Sequence, residues 1–288
     1  MTLYRLPASK IENRKSPIVN TSGLIFVSCL CMRVLTILLF ITCFVNAQEL
    51  KLESSKSVTV DQFVGYDSYG HFYFIQDGVL HKQGELGNFV FKDFQLGPIA
   101  TVDIINPLNV VVFYSEVNTV VFLDNRLSEK ERIKFNTLPS FLNLSSATNA
   151  GNNRLWTFNM DTQQLQLFDY RTSRETIISQ PYEGKILAQV SNFNDCLLLT
   201  ETHLWQVNSY GSLLWERPLD GFETIVRNGK KIVGLKENKL YLIKDEAIIP
   251  LETTFIENSI KDLQLTQEFL YIYDGENLSS FTLTQPKQ

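Results

Sequence analysis

Five prolines, Pro98, Pro139, Pro181, Pro218 and Pro250, each fall between one strand-like run and the next, roughly 32 to 42 residues apart. Between them stand short runs that alternate with period two or are unbroken apolar stretches, joined by turn residues. After residue 48 no useful length of 3.6-residue periodicity occurs. A chain with this rhythm must build one small antiparallel sheet per repeat and bury the faces of successive sheets against each other.

Six such units can be read. The first runs through Gln62–Tyr66, the turn Asp67-Ser68-Tyr69-Gly70, His71–Gln76, the turn Asp77-Gly78, Val79–Lys82 and Asn88–Phe94. Similar turns follow at Asn106-Pro107-Leu108-Asn109, Gly151-Asn152-Asn153 and Asn228-Gly229. Second strands such as Val110–Tyr114 and Cys196–Leu199 are apolar throughout, as strands buried on both faces are. The last unit offers Ser259–Leu265, Phe269–Tyr273 and Asn277–Leu283, and Leu50–Val60 is expected to supply its fourth strand, closing a ring. The predicted fold is all-β: a six-bladed β-propeller over 48–288, closed by its N- and C-terminal strands and preceded by a signal peptide.

Individual blades resemble known repeat families. Val207-Asn208-Ser209-Tyr210-Gly211-Ser212-Leu213-Leu214-Trp215 is similar to a quinoprotein-type blade, and Asp67-Ser68-Tyr69-Gly70-His71-Phe72-Tyr73 to the first hairpin of an NHL-like unit. Val102–Leu108 together with Val121–Asn125 resembles exported bacterial propellers of unassigned function. The quinoprotein-type and NHL-like matches cover one blade each and carry over no ligand, and the third resemblance implies fold and export only. The Trp-Asp dipeptide and the kelch-type Gly-Gly pair are missing.

The start of the chain reads as a targeting segment. Met32-Arg33, the apolar run Val34–Val45 and the small-residue site Val45-Asn46-Ala47 form a signal peptide over 32–47. Residues 1–31, with Pro7 and Pro17, read as an over-called start or a disordered leader. A rival reading joins Leu24–Leu30 to Val34–Val45 as an uncleaved anchor, at about 2.5–3.5 kcal/mol for burying Arg33. Phe40-Ile41-Thr42 ahead of Cys43 lacks the small residues of a lipobox. Export to a periplasmic or extracellular site, with a bacterial envelope favoured, follows.

Cleavage removes Cys29, Cys31 and Cys43, leaving Cys196 without a disulfide partner, so stability falls to the core. It also removes Arg5, Lys10, Arg14, Lys15 and Arg33 against only Glu12, making the remainder more acidic than the −5 of the whole chain. That balance, without a basic cluster interleaved with aromatics, argues against nucleic acid.

Catalytic signatures are few. His71, His81 and His203 stand in separate strands without zinc spacing, and each is expected to pack beside an aromatic neighbour. Neither a nucleophile elbow, a phosphate loop, a dinucleotide glycine pattern nor an EF-hand occurs, and no residue set calls for a cofactor or metal.

One pattern recurs in every unit. The turns joining second and third strands share one face of a propeller, and they hold Asp77, Glu116, Asp161, Glu201, Glu237 and Asp274. Basic residues, Lys82, Arg126, Lys130, Arg171, Arg174 and Lys244, gather near the third-to-fourth turns on the opposite face. Turn chemistry accounts for Asp77-Gly78 and Asp274-Gly275, but not for glutamates. The sharper reading is an acidic rim around the central channel that attracts cations or basic partners. Phe141, Tyr182, Phe222 and Phe255 in the proline loops would add an aromatic rim, although inter-blade packing also needs large rings.

The leading expectation is a monomeric, non-catalytic module for protein–protein interaction or scaffolding, without a stable membrane span. A carbohydrate-active hydrolase or lyase would instead need carboxylates from several blades about 5–9.5 Å apart. An accessory of an envelope assembly machine is the third possibility. A buried Arg among converging carboxylates at the channel mouth would favour the enzyme, and a narrow dry channel the binder.

Overall fold

Period-two alternation over turn-punctuated runs gives strands, and strands this short become stable only when both faces of their sheets are covered. The computed structural model describes residues 50–283 apart from Leu86, Glu246, Thr254, Phe255 and Glu257. Two compact units divide the chain, Met1–Asn46 and Ala47–Gln288, and the first, with the expected leader, lies outside the described residues.

The described chain forms six four-stranded antiparallel sheets, so the protein is an all-β, six-bladed propeller. The innermost strands are Gln62–Tyr66, Thr101–Asp103, Leu144–Gly151, Ile186–Ser191, Thr224–Asn228 and Asp262–Leu265. Five sheets follow chain order from the inside outward. In the sixth, Asn277–Leu283 carries Leu50–Ser57 as the outermost strand, with Leu50 opposite Leu283 and Ser57 opposite Asn277. Antiparallel order puts the first-to-second and third-to-fourth turns on one face, here the upper face. The second-to-third turns and the inter-blade loops form the lower face.

The core is six hydrophobic clusters, one for each pair of neighbouring blades. Strand Val110–Tyr114 explains the unbroken apolar runs. Val110, Val112 and Tyr114 face blade 1, Val111 and Phe113 face blade 3, and all five are buried. Cys196 and Leu198 likewise face blade 3 while Leu197 and Leu199 face blade 5. The Tyr273 and Leu278 side chains of blade 6 meet Phe63 and Phe72 of blade 1, completing the circuit of clusters. Burying each side chain of this size is worth about 1.5–3 kcal/mol.

Two of the punctuating prolines need correction. Pro98, Pro139 and Pro181 lie in loops, but Pro218 ends the strand Leu213–Pro218 and Pro250 lies inside Ile248–Leu251. Both strands are outermost, where one side of the backbone needs no ladder partner and proline is tolerated.

Candidate functional site

All six predicted carboxylates occupy second-to-third turns, on the lower face. Asp77, Glu116, Asp161, Glu201 and Glu237 are exposed and Asp274 is half-buried. Asp77 and Gly78 both have positive φ, 51° and 71°, which suits the tight hairpin. Glu237 and Asn238 adopt the same pair, at 50° and 58°, although glutamate gains nothing there. Asp161 accepts a hydrogen bond from Asn143 Nδ2 at 2.8 Å. Asp274 accepts the backbone N–H groups of Glu276 and Asn277; burial works against its charge, but these bonds hold its carboxyl below the usual value. These turns join the middle strands of each sheet, and none of the six carboxylates lines the channel cavities. They stud the face outside the channel mouth.

The aromatic rim is corrected more strongly. Phe141 is exposed. Tyr182 packs against Phe158 and Trp205 in the cluster between blades 3 and 4, and burial pushes its hydroxyl up to about 12. Phe222 is buried between blades 4 and 5, lying against Gly234 where a Cβ would sit 2.6 Å from its ring. Phe255 lies outside the described residues. The need to plug blade interfaces therefore claims two of the four. Of the basic residues, Arg126, Arg171 and Lys244 do sit in third-to-fourth turns, but Lys82 lies within the strand Val79–Gly84 and is buried.

The channel is lined by polar and apolar side chains in similar measure and is open at its upper mouth, with a cavity of about 890 Å³, wider than the narrow channel expected of a binder. Its side chains work as staples between inner strands. Gln264 Oε1 accepts Tyr66 N–H and its Nε2 donates to Tyr66 O, both at 2.7 Å. Asp262 Oδ2 accepts Phe63 N–H at 2.9 Å, and Asp103 accepts the Asn149 and Ile105 N–H groups at 2.6 and 2.9 Å. Burial raises the carboxyls of both Asp103 and Asp262. Arg227, nearly fully buried, pairs with Asp195 of blade 4, which also accepts from Gln206.

One constellation escaped the sequence reading. Asp67, in the first turn of blade 1, accepts the Tyr69 and His71 backbone N–H groups, and its Oδ2 takes His71 Nδ1 at 3.0 Å and the Tyr73 hydroxyl at 3.1 Å. Lys82 Nζ stands 3.5 Å from the same oxygen and donates to Asn125 O of blade 2 at 3.0 Å. Burial alone would raise the Asp67 carboxyl, but the His71 and Tyr69 N–H groups and the His71 ring bring it below its usual value. The same carboxylate, after burial, drives the Tyr73 hydroxyl upward. His81 and His203 stack on Phe74 and Trp205 and His71 meets Tyr69 edge-on, as expected, but His71 also belongs to this network. The only sequence signal was a turn aspartate four residues ahead of a histidine.

The fold and these channel staples place the protein among six-bladed β-propellers. No family model and no curated protein matches the sequence. Among solved structures, virginiamycin B lyase from Staphylococcus aureus superposes with a TM-score of 0.56 at 9% identity, covering 83% of this chain and 96% of that one. A chain of the mitotic checkpoint complex gives 0.57 at 10% identity, covering 84% and 87%. The Cps50 (Swd1) propeller domain of Myceliophteria thermophila gives 0.53 at 8% identity, covering 82% and 100%. At such identities the likeness lies in the path of the chain alone. Among the described residues, no helix is long and apolar enough to cross a membrane, and no group of three or more His, Cys, Asp or Glu could hold a metal.

Proposed function

We propose that this chain is an exported interaction module that docks a protein with a basic surface onto its lower face. The observation that carries the reading is the repetition of a carboxylate at the same turn of every blade, five of the six exposed. Glu237 supports it further, since its left-handed backbone would be better served by Asn or Gly. Exposed Phe94 and Phe141 on the same face supply the apolar contacts that a charged surface needs for affinity. Export rests on the leader sequence, and the clasp of Leu50–Ser57 on Asn277–Leu283 would hold the ring shut outside the cell without disulfides. A structural neighbour drawn from a multiprotein complex, the mitotic checkpoint assembly, fits this use of a propeller face.

The test is affinity purification of the full chain from its native source beside the triple variant E116K/E201K/E237K. A stoichiometric partner held by the unaltered chain, released by salt and lost from the variant, supports the reading. Equal recovery by both chains would reduce the acidic turns to hairpin geometry.

A further inference from the structure

His71 and Lys82 are buried, yet both line a cavity of about 380 Å³ between blades 1 and 2 on the upper face. Its remaining wall is Tyr69, Glu85, Pro107, Leu108 and Asn125. That volume lies within the range of small-ligand sites. The Asp67 carboxylate can only accept, so His71 Nδ1 carries the proton on that side, and Nε2 has no partner among the described residues. The ring fits because residue 84 is glycine: a Cβ there would stand 2.3 Å from His71 Cδ2. Lys82 Nζ donates to Asn125 O, stands 3.5 Å from Asp67 Oδ2 and lies 5.1 Å over the Tyr73 ring, with its ammonium at the cavity wall. With the His71 ring neutral, the cavity offers one acceptor and one donor, both positioned by the buried Asp67.

Charge and shape narrow the ligand. Asp67 offsets Lys82, and Glu85 leaves the wall net negative, so an anion is repelled. Tyr69 and Leu108 are 68% and 57% exposed and give the cavity an apolar flank. A neutral ring with an apolar face and hydroxyls on its edge satisfies all of these at once.

We propose that this cavity is a sugar-binding site, in which a monosaccharide unit lies against Tyr69, donates a hydroxyl proton to His71 Nε2 and accepts from Lys82. The site is on the face opposite the acidic turns and is independent of the protein-docking reading. Because the chain has 3 histidines, imidazole spectra of the ¹⁵N-histidine-labelled full chain can follow each one. Methyl glucoside, methyl galactoside and N-acetylglucosamine are titrated, with phenol and inorganic phosphate as counter-probes. At least one sugar should shift His71 Nε2 saturably while His81 and His203 stay still. In H71N the amide nitrogen can replace Nδ1 on Asp67 but nothing replaces Nε2, so affinity should fall on the order of tenfold in a folded chain. Y69A, at an exposed position, should weaken binding without disturbing the fold. Silence from every sugar, a response to phenol or phosphate alone, or undiminished binding by both variants would overturn the proposal.

Discussion

Asp67 shows what one residue can organise when a propeller turn is built around it. Its carboxylate caps the turn through two backbone N–H groups, fixes the His71 ring and offsets the buried Lys82. Because its folded pKa lies below the ordinary value of 3.8, the folded chain binds that proton less readily than the unfolded chain does. The stabilisation is therefore complete above that value and is lost as pH falls through it towards the depressed folded value. D67N should lack this component: between about pH 5 and pH 2 its urea-unfolding free energy should decline less steeply than that of the unaltered chain. At neutral pH the same variant should be less stable by about 3–5 kcal/mol, because Lys82 is left buried without its counter-charge. Parallel slopes in acid would remove Asp67 from this role. Little of this was legible in the sequence, where Asp67-Ser68-Tyr69-Gly70 reads as turn chemistry alone. Gly65 was equally silent: a Cβ there would stand 2.6 Å from Gln264 Nε2, the side chain that clamps Tyr66 from 198 positions away.

At the scale of strands and turns the sequence was far more informative, because alternation and turn residues are local properties. Asn152 and Asn153 take positive φ where their turn was expected, as does Gly229. The prolines misled at Pro250 because punctuation cannot distinguish a loop from an outermost strand that pairs on one side only. Phe222 and Tyr182 misled for another reason. Whether a loop aromatic points outward or into a blade interface depends on a neighbouring sheet that local pattern cannot describe. Glu237 is the turn residue whose identity and backbone disagree. In E237N the side chain tolerates φ of 50°, so thermal or urea unfolding should show a gain of roughly 0.5–1 kcal/mol. Partner recovery should fall at the same time, if the carboxylate serves docking. A stability gain without loss of recovery would leave Glu237 as a poorly chosen turn residue.

For the molecule as a whole, the decisive feature is that the hydrophobic clusters run round a circuit instead of along a line. In a linear array each repeat leans on two neighbours, the ends fray first, and stability is nearly a sum of repeat and interface terms. In this propeller Val110–Tyr114 serves two clusters at once, and the circuit returns from blade 6 to blade 1 through Tyr273, Leu278, Phe63 and Phe72. No interface can open without exposing both of the blades that share it. F113A, between blades 2 and 3, and L198A, between blades 3 and 4, should each cost about 2–5 kcal/mol. Each kilocalorie should lower the melting temperature by about 2–4 °C in a domain of this size. Calorimetry should show one transition in both variants, moved down as a unit, because the weakened interface is still held by the rest of the circuit. Deleting Leu50–Ser57 strips the outermost strand from blade 6 and exposes the edge of Asn277–Leu283. That change should broaden or split the transition where the core substitutions do not. A split transition in F113A or L198A would instead mean that the blades behave as an open array.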